Sequence, residues 1–167
     1  LARSPYANEK DSPEMMMRHE RMLAKLNGYM LPLGQVMNLY PEKDKSVPAR
    51  YARAIALFRA SRLQESLALM DGLLAEAPQD PFFLEQKAQI LYENGRVIDA
   101  LPLYQQALDL APAEPLIRQE VAAAQIQMAE DAESRGQPVD PALLQSATAN
   151  LNEVVRLEPK NPSAYRQ

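Results

Sequence analysis

Gln79 to Pro112, QDPFFLEQKAQILYENGRVIDALPLYQQALDLAP, reads as two amphipathic helices joined by a tight turn. Pro81 stands where a helix can begin, because the N–H it lacks would have no partner in the first turn. Phe83, Ala88, Leu91 and Tyr92 then recur at helical spacing. Asn94-Gly95 interrupts the pattern, as a turn that needs a positive φ does. A second run follows through Val97, Ala100, Leu101, Tyr104, Ala107, Leu108 and Leu110, and Pro112 closes it. Two helices and one turn cannot bury their apolar faces alone, so the unit predicts copies of itself on either side.

A copy lies 34 residues upstream, where Pro78 matches Pro112. The stretch VPARYARAIALFRASRLQESLALMDGLLAEAPQD places Ala54 under Ala88, Leu57 under Leu91, Phe58 under Tyr92, Ser66 under Ala100, Met70 under Tyr104 and Leu73 under Ala107. Small residues at Ala54, Ser66, Ala88 and Ala100 allow the two helices to cross closely, where an added methylene would cost about 1–3 kcal/mol in strain. With this period and these closing prolines, the chain resembles the tetratricopeptide (TPR) repeat family over about two thirds of its length. The resemblance implies an all-α, TPR-like α-solenoid of antiparallel helix pairs in a right-handed superhelix.

Residues 1–11 (LARSPYANEKD) are polar and aperiodic and read as a tail. Residues 12–46 read as N-terminal helices, either a cap or a degenerate repeat. Ser12-Pro13-Glu14 is a helix start, and Gly28 and Leu31-Pro32 end or bend that helix. A short helix through Val36, Met37 and Leu39 stops at Tyr40-Pro41. Residues 47–80 form a repeat, with helices near Ala49–Ala60 and Leu63–Ala77. Residues 81–114 form the next, with helices near Pro81–Glu93 and Val97–Leu110. Residues 115–161 form an irregular third, because Pro159 follows Pro112 by 47 residues rather than 34. The 13 extra residues fall near 127–139, and a longer helix followed by a loop at Gly136-Gln137-Pro138 is expected. Residues 162–167 begin a further repeat, so the natural protein is expected to continue.

Composition narrows the function classes. A chain of 167 residues with 47% hydrophobic content can bury a sizeable core. A net charge of −4 without a Lys/Arg-rich run gives no reason to expect nucleic acid. No apolar stretch approaches the roughly 20 residues of a membrane span. With no cysteine there are no disulfides and no thiolate zinc sites, which does not separate cytoplasm from periplasm. The chain starts at Leu1 rather than methionine and reads as a piece of a longer protein, so a missing leader says nothing about export.

The residues offer no catalytic constellation. His19, the sole histidine, begins with Glu20 an HExxH-like string, but Leu23 stands where the second zinc-binding histidine belongs. It falls on the apolar face of its helix and reads as a packed or partly exposed structural residue. No phosphate loop, dinucleotide fingerprint or nucleophile turn appears. No catalytic, cofactor or metal residue is therefore assigned.

What remains is a binding groove. In TPR stacks the first helix of each repeat lines the concave side. By that register the groove residues are Tyr51, Ile55, Phe58 and Arg59, then Glu85, Gln89, Tyr92 and Glu93, then Gln119, Ala123, Ile126 and Gln127. Mixed aromatic and amide residues suit an extended peptide or a docked domain. Phe58, Tyr92 and Ile126 fit inter-repeat core as well, which leaves Tyr51, Arg59, Glu85 and Gln89 as the better candidates. The two-Lys/Asn clamp for C-terminal carboxylates is not visible. Met15, Met16, Met17, Met22, Met30 and Met37 read as core packing of the N-terminal helices, with an adaptable docking face as the alternative.

Three strings narrow the resemblance: RHERMLAKLNGYM (Arg18–Met30), PARYARAIALFR (Pro48–Arg59) and FLEQKAQILYENGR (Phe83–Arg96). They resemble the C-terminal TPR half of bacterial HExxH zinc metallopeptidases related to the CAAX prenyl proteases. That resemblance spans about Ser12 to Pro112. It implies a periplasmic protein involved in assembly and quality control of outer-membrane proteins. Its partners would be its own protease domain and the outer-membrane assembly machinery, and its zinc would sit in that domain, not in these residues. A free-standing TPR adaptor that binds a partner peptide is the alternative.

Overall fold

The computed structural model describes residues 12–158, among which the chain forms eight α-helices and no strand. They are α1 (Pro13–Met30), α2 (Leu33–Leu39), α3 (Val47–Arg59), α4 (Leu63–Glu76), α5 (Pro81–Glu93), α6 (Val97–Leu110), α7 (Pro115–Ser134) and α8 (Pro141–Leu157). The N-terminal tail, Pro159 and the repeat start at Pro162 lie outside the described residues. The chain divides after Pro78 into two compact units, α1–α4 and α5–α8.

Local chemistry sets the helix ends. Ser12, Ser46, Asp80 and Asp140 each stand at an N-cap and accept a bond from a first-turn N–H, and a proline follows in each first turn. Helices α3, α5 and α7 all stop in one way. The N–H of Arg62, Arg96 and Gln137 reaches back to the carbonyl of Leu57, Leu91 and Ala132 at 2.9 Å in each case. The residue before each donor is left-handed: Ser61 (φ 63°), Gly95 (φ 77°) and Gly136 (φ 66°). This six-to-one closure satisfies the last helical carbonyls and normally calls for glycine. Its recurrence marks α3, α5 and α7 as the first helices of three successive hairpins.

In the first unit α3 is the core, buried continuously from Tyr51 to Phe58. α1 and α4 pack against it, and α2 does so less extensively. On the α4 side the buried Ser66 hydroxyl donates to the Ala54 carbonyl at 2.6 Å. On the α1 side Ala24 and Gly28 form the buried face. A Cβ at Gly28 would meet Ile55 Cβ at 2.8 Å and the Ala52 carbonyl oxygen at 2.9 Å. Gly28 therefore neither ends nor bends α1, contrary to its expected role. It is where α1 lies on α3, and the helix continues to Met30. The Arg53 side chain, almost fully buried, donates to the carbonyls of Tyr40 (3.1 Å) and Pro41 (2.8 Å), which closes the end of α2.

The methionines also depart from expectation. Met15, Met17, Met22 and Met30 are exposed, Met30 to 71%. The small residues take the buried face of α1 because only they permit its close approach to α3, and the long side chains are left outside.

In the second unit α5–α6 and α7–α8 are antiparallel hairpins, and α6 packs on α7. A polar chain ties α7 to α8: Arg118 donates to Asn150 (2.9 Å), Asn150 to Gln125 (3.2 Å) and Gln125 to Ser146 (2.8 Å). The 13 extra residues have definite places. Seven lengthen α7 relative to α5, three lengthen the turn and three lengthen α8 relative to α6.

Two glycine substitutions should move stability in opposite directions. Gly28→Ala should lower stability by about 1–3 kcal/mol, since the Ala52 backbone oxygen cannot swing away. Gly72→Ala, inside α4 with nothing within 4 Å of the new Cβ, should raise it by about 0.5–1 kcal/mol. Denaturant melts of both variants would check this, and an unchanged midpoint for Gly28→Ala would contradict the close packing of α1 on α3.

Candidate functional site

The register that defines the groove positions meets two different environments. In the first unit Tyr51 (3% exposed) and Ile55 (0%) are core residues, with Ile55 directly beneath Gly28 of α1. Phe58 is buried as well. Arg59 is exposed along its length, but its guanidinium donates to the carbonyls of Gly28 and Leu31 at 3.4 Å, where it closes the end of α1. Tyr51 and Ile55, assigned to a groove by register, therefore present no surface to a partner, because α1 lies over this face of α3.

In the second unit Tyr92, Gln119, Ala123, Ile126 and Gln127 line an open cleft of two lobes that share Tyr92 and Gln127, whereas Glu85, Gln89 and Glu93 are not part of its wall. One lobe, about 350 Å³, lies between the α5–α6 turn (Tyr92, Gly95, Val97) and the end of α7 (Gln127, Asp131, Ser134, Arg135). The other, about 300 Å³, is bounded by Tyr92, Gln119, Ala123, Ile126, Gln127 and Leu151. From α7 the wall is one row at four-residue spacing: Gln119, Ala123, Gln127, Asp131 and Arg135. Residues four apart are neighbours on a helix surface, so the row is a continuous ridge inclined to the helix axis.

The polar groups hold one another in place. Gln89 accepts from the Tyr104 hydroxyl at 2.7 Å and donates to the Glu93 carboxylate. Gln127 makes the equivalent bond on α7, donating to Asp131 at 2.9 Å. Tyr92 packs edge-on against Tyr104, with ring centres 6.3 Å apart. Burial, and then the carboxylates of Glu130, Asp131 and Glu93, push the Tyr92 hydroxyl above its usual range. Burial raises Tyr104 further, helped by the charges of Glu120 and Glu85. Glu85 itself is only 4% exposed and stands outside the cleft wall. Among the described residues no cluster of His, Asp and Glu is arranged to hold a metal ion.

Register alone did not find Val97, Asp131, Ser134, Arg135 or Leu151. A regular repeat would end α7 near Gln127, opposite Glu93 of α5, so Asp131 and Ser134 belong to the two added turns and Arg135 follows them. The excess length in the 127–139 stretch, rich in acidic residues, was the available signal.

No family model matches the chain. No curated protein matches it. Solved structures do match in fold. A double mutant of MamA RS-1 superimposes with a TM-score of 0.60 at 19% identity, covering 93% of this chain and 80% of that one. MamA from Desulfovibrio magneticus RS-1, from its residue 41 to the end, gives 0.60 at 18% identity, covering 92% and 80%. The fold is all-α and TPR-like. At such identities the likeness is one of fold. First-helix residues of the last two hairpins, Tyr92 from α5 and Gln119, Ala123, Ile126 and Gln127 from α7, line the cleft.

Tyr104 gives a pH signature. Its folded-state pKa lies above the unfolded value of about 10. The stabilisation tied to its protonated form is therefore complete below pH 10 and is lost as pH rises above that value. Tyr104→Phe should cost about 1 kcal/mol at neutral pH and flatten the decline in stability on the alkaline side. Urea melts from pH 8 to 11 would check both, and an equally steep alkaline decline in the variant would contradict the assignment.

Proposed function

We propose that this chain is a non-catalytic protein-interaction module and that the cleft between α5 and α7 receives an extended segment of a partner protein. The observation that carries this reading is the two-lobed cleft itself. One lobe is bounded by Tyr92, Ala123, Ile126 and Leu151, an apolar lining broken only by the Gln119 and Gln127 amides. The other carries polar acceptors beside Val97. Alternating apolar and polar seats suit side chains presented by an extended backbone, whereas a small substrate would be left open to water. Each lobe is at the small end of the 300–1,000 Å³ typical of ligand pockets, enough for one or two side chains.

Ala123 is exposed on the α7 ridge and makes a clean probe. Ala123→Gln should fill the apolar lobe without changing charge and weaken capture of a partner peptide by about tenfold or more. Stability should change by less than about 0.5 kcal/mol, as for other surface changes. Peptide selection on the immobilised chain followed by anisotropy titration would measure it, and equal affinity in the variant would place binding elsewhere.

We further propose that the module belongs to a periplasmic zinc metallopeptidase concerned with outer-membrane protein assembly, the setting implied by the strings at Arg18–Met30, Pro48–Arg59 and Phe83–Arg96. Zinc would then reside outside these residues. The protease domain and the outer-membrane assembly machinery would be partners. Metal analysis of the full natural gene product should find one zinc per chain. A product without zinc would leave a free-standing adaptor.

A further inference from the structure

The second unit is strongly acidic, and three of its carboxylates act on Tyr92 in the cleft wall. Residues 79–158 contain five Lys/Arg and 13 Asp/Glu, a net charge of −8, whereas residues 12–78 contain nine Lys/Arg and seven Asp/Glu, a net charge of +2. On α5 Glu93 is held by Gln89, and on α7 Asp131 is held by Gln127. Glu130 stands beside Asp131, and all three carboxylates act on the Tyr92 hydroxyl that divides the two lobes. Both restraining partners are neutral amides, so they orient the carboxylates without cancelling their charge. The nearest compensating cation in the wall is Arg135, an exposed residue at the end of α7.

We propose, on the reading of the cleft as a peptide-docking site, that its partner is a basic segment. A Lys or Arg of the partner enters the lobe at Asp131, and a neighbouring aliphatic side chain enters the lobe at Ala123 and Ile126. Charge complementarity and the shape of the wall support the same occupant. The ammonium or guanidinium meets Asp131 with Glu93 and Glu130 around it. The aliphatic stem of the same side chain lies along Tyr92 and Val97, as long basic side chains do when they bury the stem and keep the charge wet. The seven residues that lengthen α7 relative to α5 include Glu130 and Asp131, so two of the three carboxylates come from the insertion.

The test uses the full chain and two fluorescent peptides of about eight residues. Both carry leucine at alternate positions, with lysine between in one and glutamate between in the other. The lysine peptide should bind, and binding should weaken as salt is raised from 0.05 to about 0.5 M, since screening shortens the reach of exposed charges. The double variant Glu130→Gln, Asp131→Asn should weaken it about fivefold, the scale of a pair of exposed ion pairs. Arg135→Gln should tighten it about threefold, a gain that damage to the fold would not produce. Circular dichroism confirms that each variant is folded. Equal binding of the glutamate peptide, or affinity for the lysine peptide indifferent to both variants, would overturn the proposal. If the glutamate peptide alone binds and Ala123→Gln abolishes its binding, the docking cleft stands and the basic partner falls. If neither peptide binds the folded chain, both readings fall together.

Discussion

The second unit depends on α7 exceeding α5 by a whole number of turns. Seven residues advance a helix by about 700°, within about 20° of two complete turns. Ser134, seven residues after Gln127, therefore faces the same cleft, with Asp131 and Arg135 beside it. An insertion of five residues would have turned the added segment by about 140° and carried its carboxylates to another face. The added turns instead extend the existing wall beyond the α5–α6 turn, and Tyr92, which would otherwise stand at the cleft's edge, becomes its centre.

A second constraint, the distance of closest approach, decides which faces are open. Helices come near one another only where side chains are small, as the Ser66 bond to the Ala54 carbonyl and the contact of Gly28 with Ile55 show. In the first unit this lets α1 lie flat on α3 and cover the positions of Tyr51 and Ile55. In the third hairpin the equivalent positions on α7, Gln119 and Ala123, line the open cleft, whereas Glu85 on α5 is buried. Residues in equivalent register thus have opposite roles, and the cause is a glycine on a neighbouring helix rather than anything in the residues themselves.

That explains what could be read in the sequence. Helices α5 and α6 occupy the residues the repeat pattern assigns them, because capping residues, Asn94-Gly95 and the closing prolines are local signals. The long first helix of the third hairpin and the turn at Gly136 were legible for the same reason. Only in the structure is it evident that Ser61 takes the left-handed turn that glycine takes at the equivalent positions 95 and 136. The face of α1 was misread because hydrophobicity ranks methionine above glycine as a core residue, whereas close packing on α3 selected Ala24 and Gly28. Of the groove, the α7 row at Gln119, Ala123 and Gln127 was legible from register. Asp131 and Arg135 were not, because they lie beyond the length that the repeat register assigns to the first helix.

The same geometry accounts for an otherwise unfavourable arrangement. Glu93, Glu130 and Asp131 act on one Tyr92 hydroxyl, and like charges gathered in this way oppose the compact state. Exchanging one for lysine would relieve that repulsion, yet Glu93 and Asp131 are each held by a glutamine four residues earlier on the same helix. A pairing of this kind fixes the orientation of a carboxylate and leaves its charge in force. Elsewhere the exposed acids Glu65, Asp99 and Glu153 are paired with arginines three residues away. Asp109 on α6 is held in the same way by Gln105, so the pairing is not confined to the surroundings of Tyr92; what sets Tyr92 apart is that three carboxylates act on its one hydroxyl.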